Sequence, residues 1–335
     1  MSGVPVFVDY LTIRQEHLDG GLPVLNDGKV LHVDSDGEVQ RCVDRRAGLE
    51  GSYDSRVEIR CDGRAVEFSG NISRYNRRDN LFGYDWSETL RRINALTDRF
   101  SLPPFSAGNF VRFADSGWTW SGARVSRIDV TCNYAAGSLE ALQAVLNSMA
   151  GQHVGRMKGR LSPDGATVEY GRGSKYVYGK VYAKHMEFQA HARRKSGSHV
   201  AAEVVEFCRT LGVLREEFTL KSRYLTQNQM AFLGAIRHGE LIHTYLNRSQ
   251  FRRLAAVKYE TFDDLPRHLR ATYVSWQNGF PQGISRATFY RHRTGLIAYG
   301  IDISVAANKE IKPLRLNVVD LAMLEAPEWY RRKFG

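Results

Sequence analysis

Residues 180–188 read KVYAKHMEF, which sets Tyr182 between Lys180 and Lys184 and follows it with His185 and Glu187. A phenol with a pKa of about 10 is a poor nucleophile at neutral pH until its proton is drawn off, and two nearby ammonium groups favour the phenolate. Attack on a phosphodiester would leave a phosphotyrosine and a free hydroxyl. The ester conserves the bond, so the strand could be resealed without ATP. No GxxxxGK[ST] nucleotide loop occurs in the chain, and GRGSK at 171–175 is too short to be one. A hard divalent ion, Mg2+ or Mn2+, would polarise the phosphate and would require oxygen ligands. Glu58 in SRVEIRC, Asp129 in SRIDVT and Glu217 in LREEF are the carboxylates suited to that task. Each residue also has a plain structural reading. Tyrosines commonly pack in strands, lone mid-strand carboxylates are ordinarily solvated, and His185 is as readily a satisfied structural histidine as an acid–base group.

Such a site needs strands to hold it. Apolar and polar residues alternate in SRVEIRC (55–61), VSRIDVTCNY (125–134), KYVYGKVYAKH (175–185) and LREEFTLKSRYL (214–225), a period of two that predicts half-buried strands. Alternation puts Glu58, Asp129, Tyr182 and Glu217 opposite the aliphatic residues of their strands, and Tyr178 on the same side as Tyr182. It sends His185 to the other side if the strand continues that far. VDYLTIR (8–14) reads as another strand, and KVLHVDSDGEVQRCV (29–43) as a hairpin turning at Asp36-Gly37. Helices are expected over 86–100 with Ser87 as N-cap, over 138–151 capped by Ser138, and over 199–212. Beyond Leu225 the pattern turns helical, and ISRATFYRHRTGLIAYGI (284–301) reads as a helical hairpin with a faint helix-turn-helix look. The expected fold class is α+β. An antiparallel β-sheet nuclease domain with flanking helices occupies 1–225, and a mainly helical, basic DNA-binding region occupies 226–335.

The chain of 335 residues carries a net charge of +11, unevenly spread. Residues 221–335 hold 18 Lys and Arg against 9 Asp and Glu, and residues 151–200 hold 10 against 3. A basic tract beside a more acidic one suits a phosphate backbone lying next to a carboxylate site. Arg77 and Arg78 in SRYNRRDN and Arg286, Arg291 and Arg293 in the helical region are the candidate DNA contacts. The four cysteines form no CxxC pair, so a zinc knuckle or a disulfide framework is not expected. The N-terminus does not read as a signal peptide, and no apolar run reaches the ~18 residues of a membrane span. Among the ten histidines there is no His-x-His, and HExxH, GxSxG and a strand-borne GxGxxG are also absent.

In order along the chain, VDYLTIR, VEIR (57–60), GN…NLFG (70–83), SRIDVT (126–131), KVYAKHMEF, LREEFTLKSRYL and PEWYRRKF resemble the gene-II-type replication initiators of filamentous bacteriophages. The resemblance implies a Mg2+-using nicking-joining endonuclease. Such an enzyme cuts the plus-strand origin of duplex DNA, leaves a 3′ hydroxyl to prime host polymerase, and later seals the displaced single strand. It implies a nucleophile at Tyr182 in its Tyr-x-Lys-His-x-Glu context, with Asp129, Glu58 and Glu217 on the family's acid-bearing strands. Origin duplex, displaced single strand, host replication machinery and further copies of the chain on the origin are the implied partners, in the cytoplasm of a bacterial host with no membrane involved. The chain departs from the family between Gly70 and Gly83, where an arginine-rich stretch replaces the usual Gln-Gly-His-Asn run, so no histidine role transfers there. A DNA-binding phage protein without catalysis, and a metallonuclease using water as nucleophile, are the competing readings.

Overall fold

The computed structural model describes residues 4–26, 28–113, 117–150, 152–154, 157–194, 200–251, 265–280, 283–297, 299, 301–305 and 321–334. One antiparallel sheet of ten strands organises them. Across the sheet the order is β12 (Arg160–Leu161), β13 (Thr167–Tyr170), β14 (Val177–Ala183), β15 (Val213–Lys221), β9 (Arg124–Ala135), β1 (Phe7–Glu16), β6 (Ala65–Gly70), β5 (Arg56–Cys61) and β4 (Ala47–Glu50). A short β16 (Ala322–Met323) pairs with the end of β9. Three hairpins stand apart: β2–β3 (Lys29–Val33, Val39–Asp44), β7–β8 (Phe110–Phe113, Gly117–Trp120) and β10–β11 (His153–Val154, Met157–Lys158). The first turns at Gly37, which takes the left-handed φ of 85° that glycine tolerates, as the Asp-Gly pair predicts.

The two faces of the sheet are covered differently. On the apolar face, Ile13, Ile59, Phe68, Ile128, Val130 and Val181 form the main core with α1 (Trp86–Asp98), α2 (Leu139–Ala150), α5 (Ser222–Gln227) and α6 (His238–Arg248). Helix α1 starts earlier than expected: the side chain of Asp85, not Ser87, accepts the Glu88 amide at 2.8 Å. Ser138 does cap α2, through the Ala141 amide at 3.1 Å. On the polar face, α3 (Lys184–Arg194), α4 (Ala202–Thr210) and α9 (Glu328–Phe334) bring Phe188, Val204, Cys208 and Tyr330 onto Leu81, Phe82 and Val213. With helices on both sides and strands on both edges, the central β9 and β15 are buried along nearly their whole length.

The helical C-terminal region begins later than a boundary at 225/226 would place it. Leu241 and Tyr245 of α6 belong to the main core, β16 adds to the sheet, and α9 docks beside α4. Among the described residues of this region, a separate small core lies around α7 (Arg267–Gln277) and α8 (Arg286–Ile297), from Leu269, Tyr273, Leu296, Ile301 and Ile303. No helix among the described residues is long and apolar enough to cross a membrane. Cys61, Cys132 and Cys208 are buried free thiols, and Cys42 is an exposed one.

Candidate active site

Register decides which side chains meet. Tyr182 on β14 pairs with Arg215 on β15, which pairs with Asn133 on β9; one step along, Lys180 pairs with Glu217 and Glu217 with Thr131. Asp129 lies one further step along β9. Because side chains alternate across a strand, all of these occupy one face, and cross-strand neighbours there are within contact range. Tyr182 is only 6% exposed, yet it stands outside the apolar clusters. It borders a cavity of about 300 Å3 shared with Lys180, Glu187 and His191. A larger cavity of about 660 Å3, lined by Phe218, Tyr224 and Arg248, lies on the opposite face and touches none of this cluster.

Four cations surround the site. Lys180 Nζ lies 5.0 Å from the Tyr182 ring centroid and 2.9 Å from Glu217 Oε1. Lys184, fully buried at the start of α3, donates to Asn80 Oδ1 at 2.8 Å and to Glu187 Oε2 at 2.5 Å. Arg215, also fully buried, donates to Asn133 Oδ1 (2.9 Å) and to the carbonyls of Asn80 (2.5 Å) and Leu81 (2.6 Å). Its Nη1 lies 3.8 Å from Asp9. Arg127 grips both oxygens of Asp129 at 2.9 and 2.6 Å.

Ionisation follows from this crowding. Burial pushes the Tyr182 phenol well above its usual pKa, against the pull of Arg215. Burial also pushes Glu217 up to about 7, with Lys180 opposing and Asp129 and Asp9 adding to the rise. For Lys180 burial works against the ammonium, but Glu217, then Asp9 and Asp129, outweigh it and hold the pKa above the ordinary range. Burial and Arg215 lower Lys184, while Lys184 and Arg215 overcome burial to hold Glu187 well below the usual carboxylate range.

Three buried polar atoms at neighbouring positions on this face lack any hydrogen bond: Arg215 Nη1, Glu217 Oε2 and Thr131 Oγ1. Buried polar groups are nearly always paired, with protein, water, an ion or a ligand, so these three atoms leave hydrogen-bonding capacity unused on this face. A phosphodiester offers acceptors to Arg215 and Thr131. The arrangement is less suited to a resident divalent ion. Among the described residues no group of three or more His, Cys, Asp or Glu side chains converges on a metal position. Both Asp129 oxygens face Arg127, Asp9 Oδ1 accepts from Asn71 and Asn80, and Lys180 holds one oxygen of Glu217.

Several sequence expectations change. Glu58 shares the polar face but sits five strands from Tyr182, about 24 Å at ~4.8 Å per strand. There it pairs with Arg46 at 3.3 Å, in a network that also ties Arg60 to Glu67, and it does not join Asp129 and Glu217. The strand expected to run through 185 ends at Ala183, so Lys184 and His185 are helical and alternation no longer orients them. His185 is buried outside the cluster; burial, with Arg209 nearby, lowers its pKa to about 4, so it is neutral at pH 7. Tyr178 is half-buried on the same face and donates to Glu169 at 2.6 Å. Two of the arginines chosen as DNA contacts are occupied within the protein. Arg77 donates to the carbonyls of Ser73 (2.9 Å) and Phe82 (3.0 Å), and Arg293 makes a bidentate pair with Asp302 at 2.6 and 2.5 Å. Arg78, Arg286 and Arg291 are exposed.

Two contributors escaped the sequence pattern. Asp9 reaches the polar face because β1 slips register between Val8 and Tyr10, a β-bulge that re-aims one side chain. Counting back from Leu11 and Ile13 puts Val8 on the polar face and Asp9 on the apolar one; that double mismatch was the available signal. Asn80 bridges Asp9 (3.2 Å) and Lys184 (2.8 Å) from a loop that no periodicity describes.

A ten-stranded antiparallel sheet flanked by helices, with a tyrosine set among charged side chains on its polar face, defines an α+β protein. The chain belongs to the gene-II-type family of phage replication-associated proteins. The family's N-terminal model matches residues 9–240 and its C-terminal model residues 260–334. The chain is similar to the replication-associated protein of Escherichia phage If1, at 24% identity over 314 residues covering 82% of this chain and 97% of that one. It is similar also to the replication-associated protein of Enterobacteria phage I2-2, at 26% identity over 326 residues covering 90% and 91%.

Proposed function

We propose that the protein initiates rolling-circle replication by cutting one strand of duplex origin DNA with Tyr182 and later resealing the displaced single strand, in the host cytoplasm. The Tyr182 oxygen forms a bond to phosphorus, the bond from phosphorus to the 3′ oxygen breaks, and the 3′ hydroxyl becomes the primer for host polymerase. Glu217, poised near neutral pH, takes the phenolic proton. Arg215 and Thr131 donate to the phosphate oxygens, and Lys180 gives the leaving 3′ oxygen its proton, which Glu217 then returns to Lys180 across their ion pair. Reversal of these movements on a new 3′ end closes the circle.

The observation that carries this reading is the trio of buried atoms without a hydrogen bond, on Arg215, Glu217 and Thr131, beside a tyrosine set among charges. The expected Mg2+ or Mn2+ belongs to the proposal only as an ion brought in with the DNA, because the described carboxylates form no ready cage for it. No step above runs through it. Exposed Arg78, Arg286 and Arg291 supply backbone contacts to the duplex.

Tyr182→Phe tests the chemistry. The variant is expected to fold, to bind origin duplex with unchanged affinity, and to yield neither nicked product nor a protein–DNA adduct on a denaturing gel. Retained nicking by the variant would overturn the reading. Nicking by the native protein without any adduct would assign the attack to water instead.

A further inference from the structure

The β7–β8 hairpin belongs to neither the core nor the tyrosine site. Its pairs Phe110↔Trp120 and Arg112↔Trp118 put two tryptophans, a phenylalanine and an arginine on one side of a two-stranded ribbon. Phe110 and Trp118 stack with centroids 5.7 Å apart and planes 20° from parallel. Both rings are open to solvent, Phe110 at 55% and Trp118 at 65%, and Phe113 near the turn is 44% exposed. The base of the ribbon is fixed. Ser121 and Asn109 exchange two hydrogen bonds of 2.9 Å, and Trp120 lies on Gly234, where any side chain would strike its ring. A two-stranded ribbon gains little from burying its own residues, so exposing Phe110 and Trp118 side by side on one face is costly unless something covers them, and Phe113 is exposed on the other face.

Size and charge identify the occupant. Four-residue strands are about 13 Å long, and a two-stranded face is about 10 Å wide. That face is far smaller than the ~800 Å2 per partner that a stable protein interface buries. It matches the faces of one or two nucleobases, with Arg112 alongside for a phosphate. We propose that this hairpin is a stacking platform for unpaired bases of single-stranded DNA. The platform sits just before the Arg124 end of β9. Asn133, level with Tyr182, is about 30 Å further along that strand at ~3.3 Å per residue. The proposal rests on the reading that the protein acts on DNA, and its test needs binding only, so it does not depend on Tyr182 chemistry.

The test is equilibrium binding of the full chain to a fluorescent single-stranded oligonucleotide and to the same sequence as duplex. It compares the native protein with Phe110→Ser/Trp118→Ser and with Trp118→Phe. The double variant is expected to bind single strand roughly tenfold or more weakly and duplex within about twofold of native, with an unchanged salt slope. Trp118→Phe keeps a stacking surface and should keep most of the affinity. Quenching of tryptophan emission by single strand should shrink in Trp118→Phe relative to native. A single-strand affinity that moves less than about twofold, an equal loss on both DNAs, or a native oligomer that falls apart in the double variant would each overturn the proposal.

Discussion

Replacing Glu217 by glutamine isolates a carboxyl of the site that burial lifts towards neutral pH. Its side chain is 4% exposed, with one oxygen on Lys180 and the other unpaired. Burial lifts its pKa from 4.5 to about 7. A rise of that size corresponds to about 3 kcal/mol of preference for the protonated form in the fold. The sign follows from linkage: a group with a raised folded pKa contributes stability that is complete below its unfolded pKa. That stability is lost as pH climbs from about 4.5 through about 7. Glutamine never ionises and so loses nothing over this window. Urea unfolding of native protein and Glu217→Gln across the window should therefore show the variant gaining, relative to native, on the order of 3 kcal/mol. The same titration should appear in the rate of single-strand nicking. The native rate is expected to rise about tenfold per pH unit below about 7 and to level off above it. Glu217→Gln should be flat and roughly 100-fold or more slower. A stability difference independent of pH, together with a native-like rate profile in the variant, would refute the assignment.

Arg215→Met is expected to cost about 3–5 kcal/mol in urea unfolding, since it strips partners from Asn133 and from the Asn80 and Leu81 carbonyls inside the protein; a loss below about 1 kcal/mol would contradict the geometry. Arg286→Ala and Arg291→Ala should each lower the salt slope of duplex binding by about one without moving the thermal midpoint. Arg293→Ala should instead lower that midpoint, because it strips the buried Asp302 of its bidentate ion-pair partner and leaves it only the Ser304 donors; the opposite assignment of effects would count against the placement. Millimolar Mg2+ should leave the thermal midpoint of the DNA-free protein where chelator puts it, since binding to a preformed cage would stabilise the fold. A rise of several degrees would reveal a site that the carboxylates do not suggest.

Strict alternation made much of this site legible in advance. Asp129, Lys180, Tyr182 and Glu217 lie on regular stretches of β9, β14 and β15, where a period of two fixes the face, and one face is what they share. Alternation fixes a face but not a distance across the sheet, so it groups Glu58 with them although four strands separate β5 from β14. It also fails where the backbone leaves the pleat. Asp9 sits on a bulge, and Lys184 and His185 begin a helix although KVYAKH alternates as well as any strand. Arg77 and Arg293 show a further limit. Composition marks an arginine as basic, but only the fold shows whether Ser73, Phe82 or Asp302 already holds it. The boundary of the helical region is blurred for a related reason, since α6 is amphipathic and gives no sign in the sequence that its apolar side belongs to the main core.

The most direct measurement is to trap the cleaved intermediate on a single-stranded origin oligonucleotide, digest the protein and locate the nucleotide-bearing peptide by mass spectrometry. The modification is expected on Tyr182 within the stretch 177–183, and it should vanish in Tyr182→Phe. A nucleotide on Tyr178, or an adduct that persists in Tyr182→Phe, would contradict the assignment of the attacking oxygen.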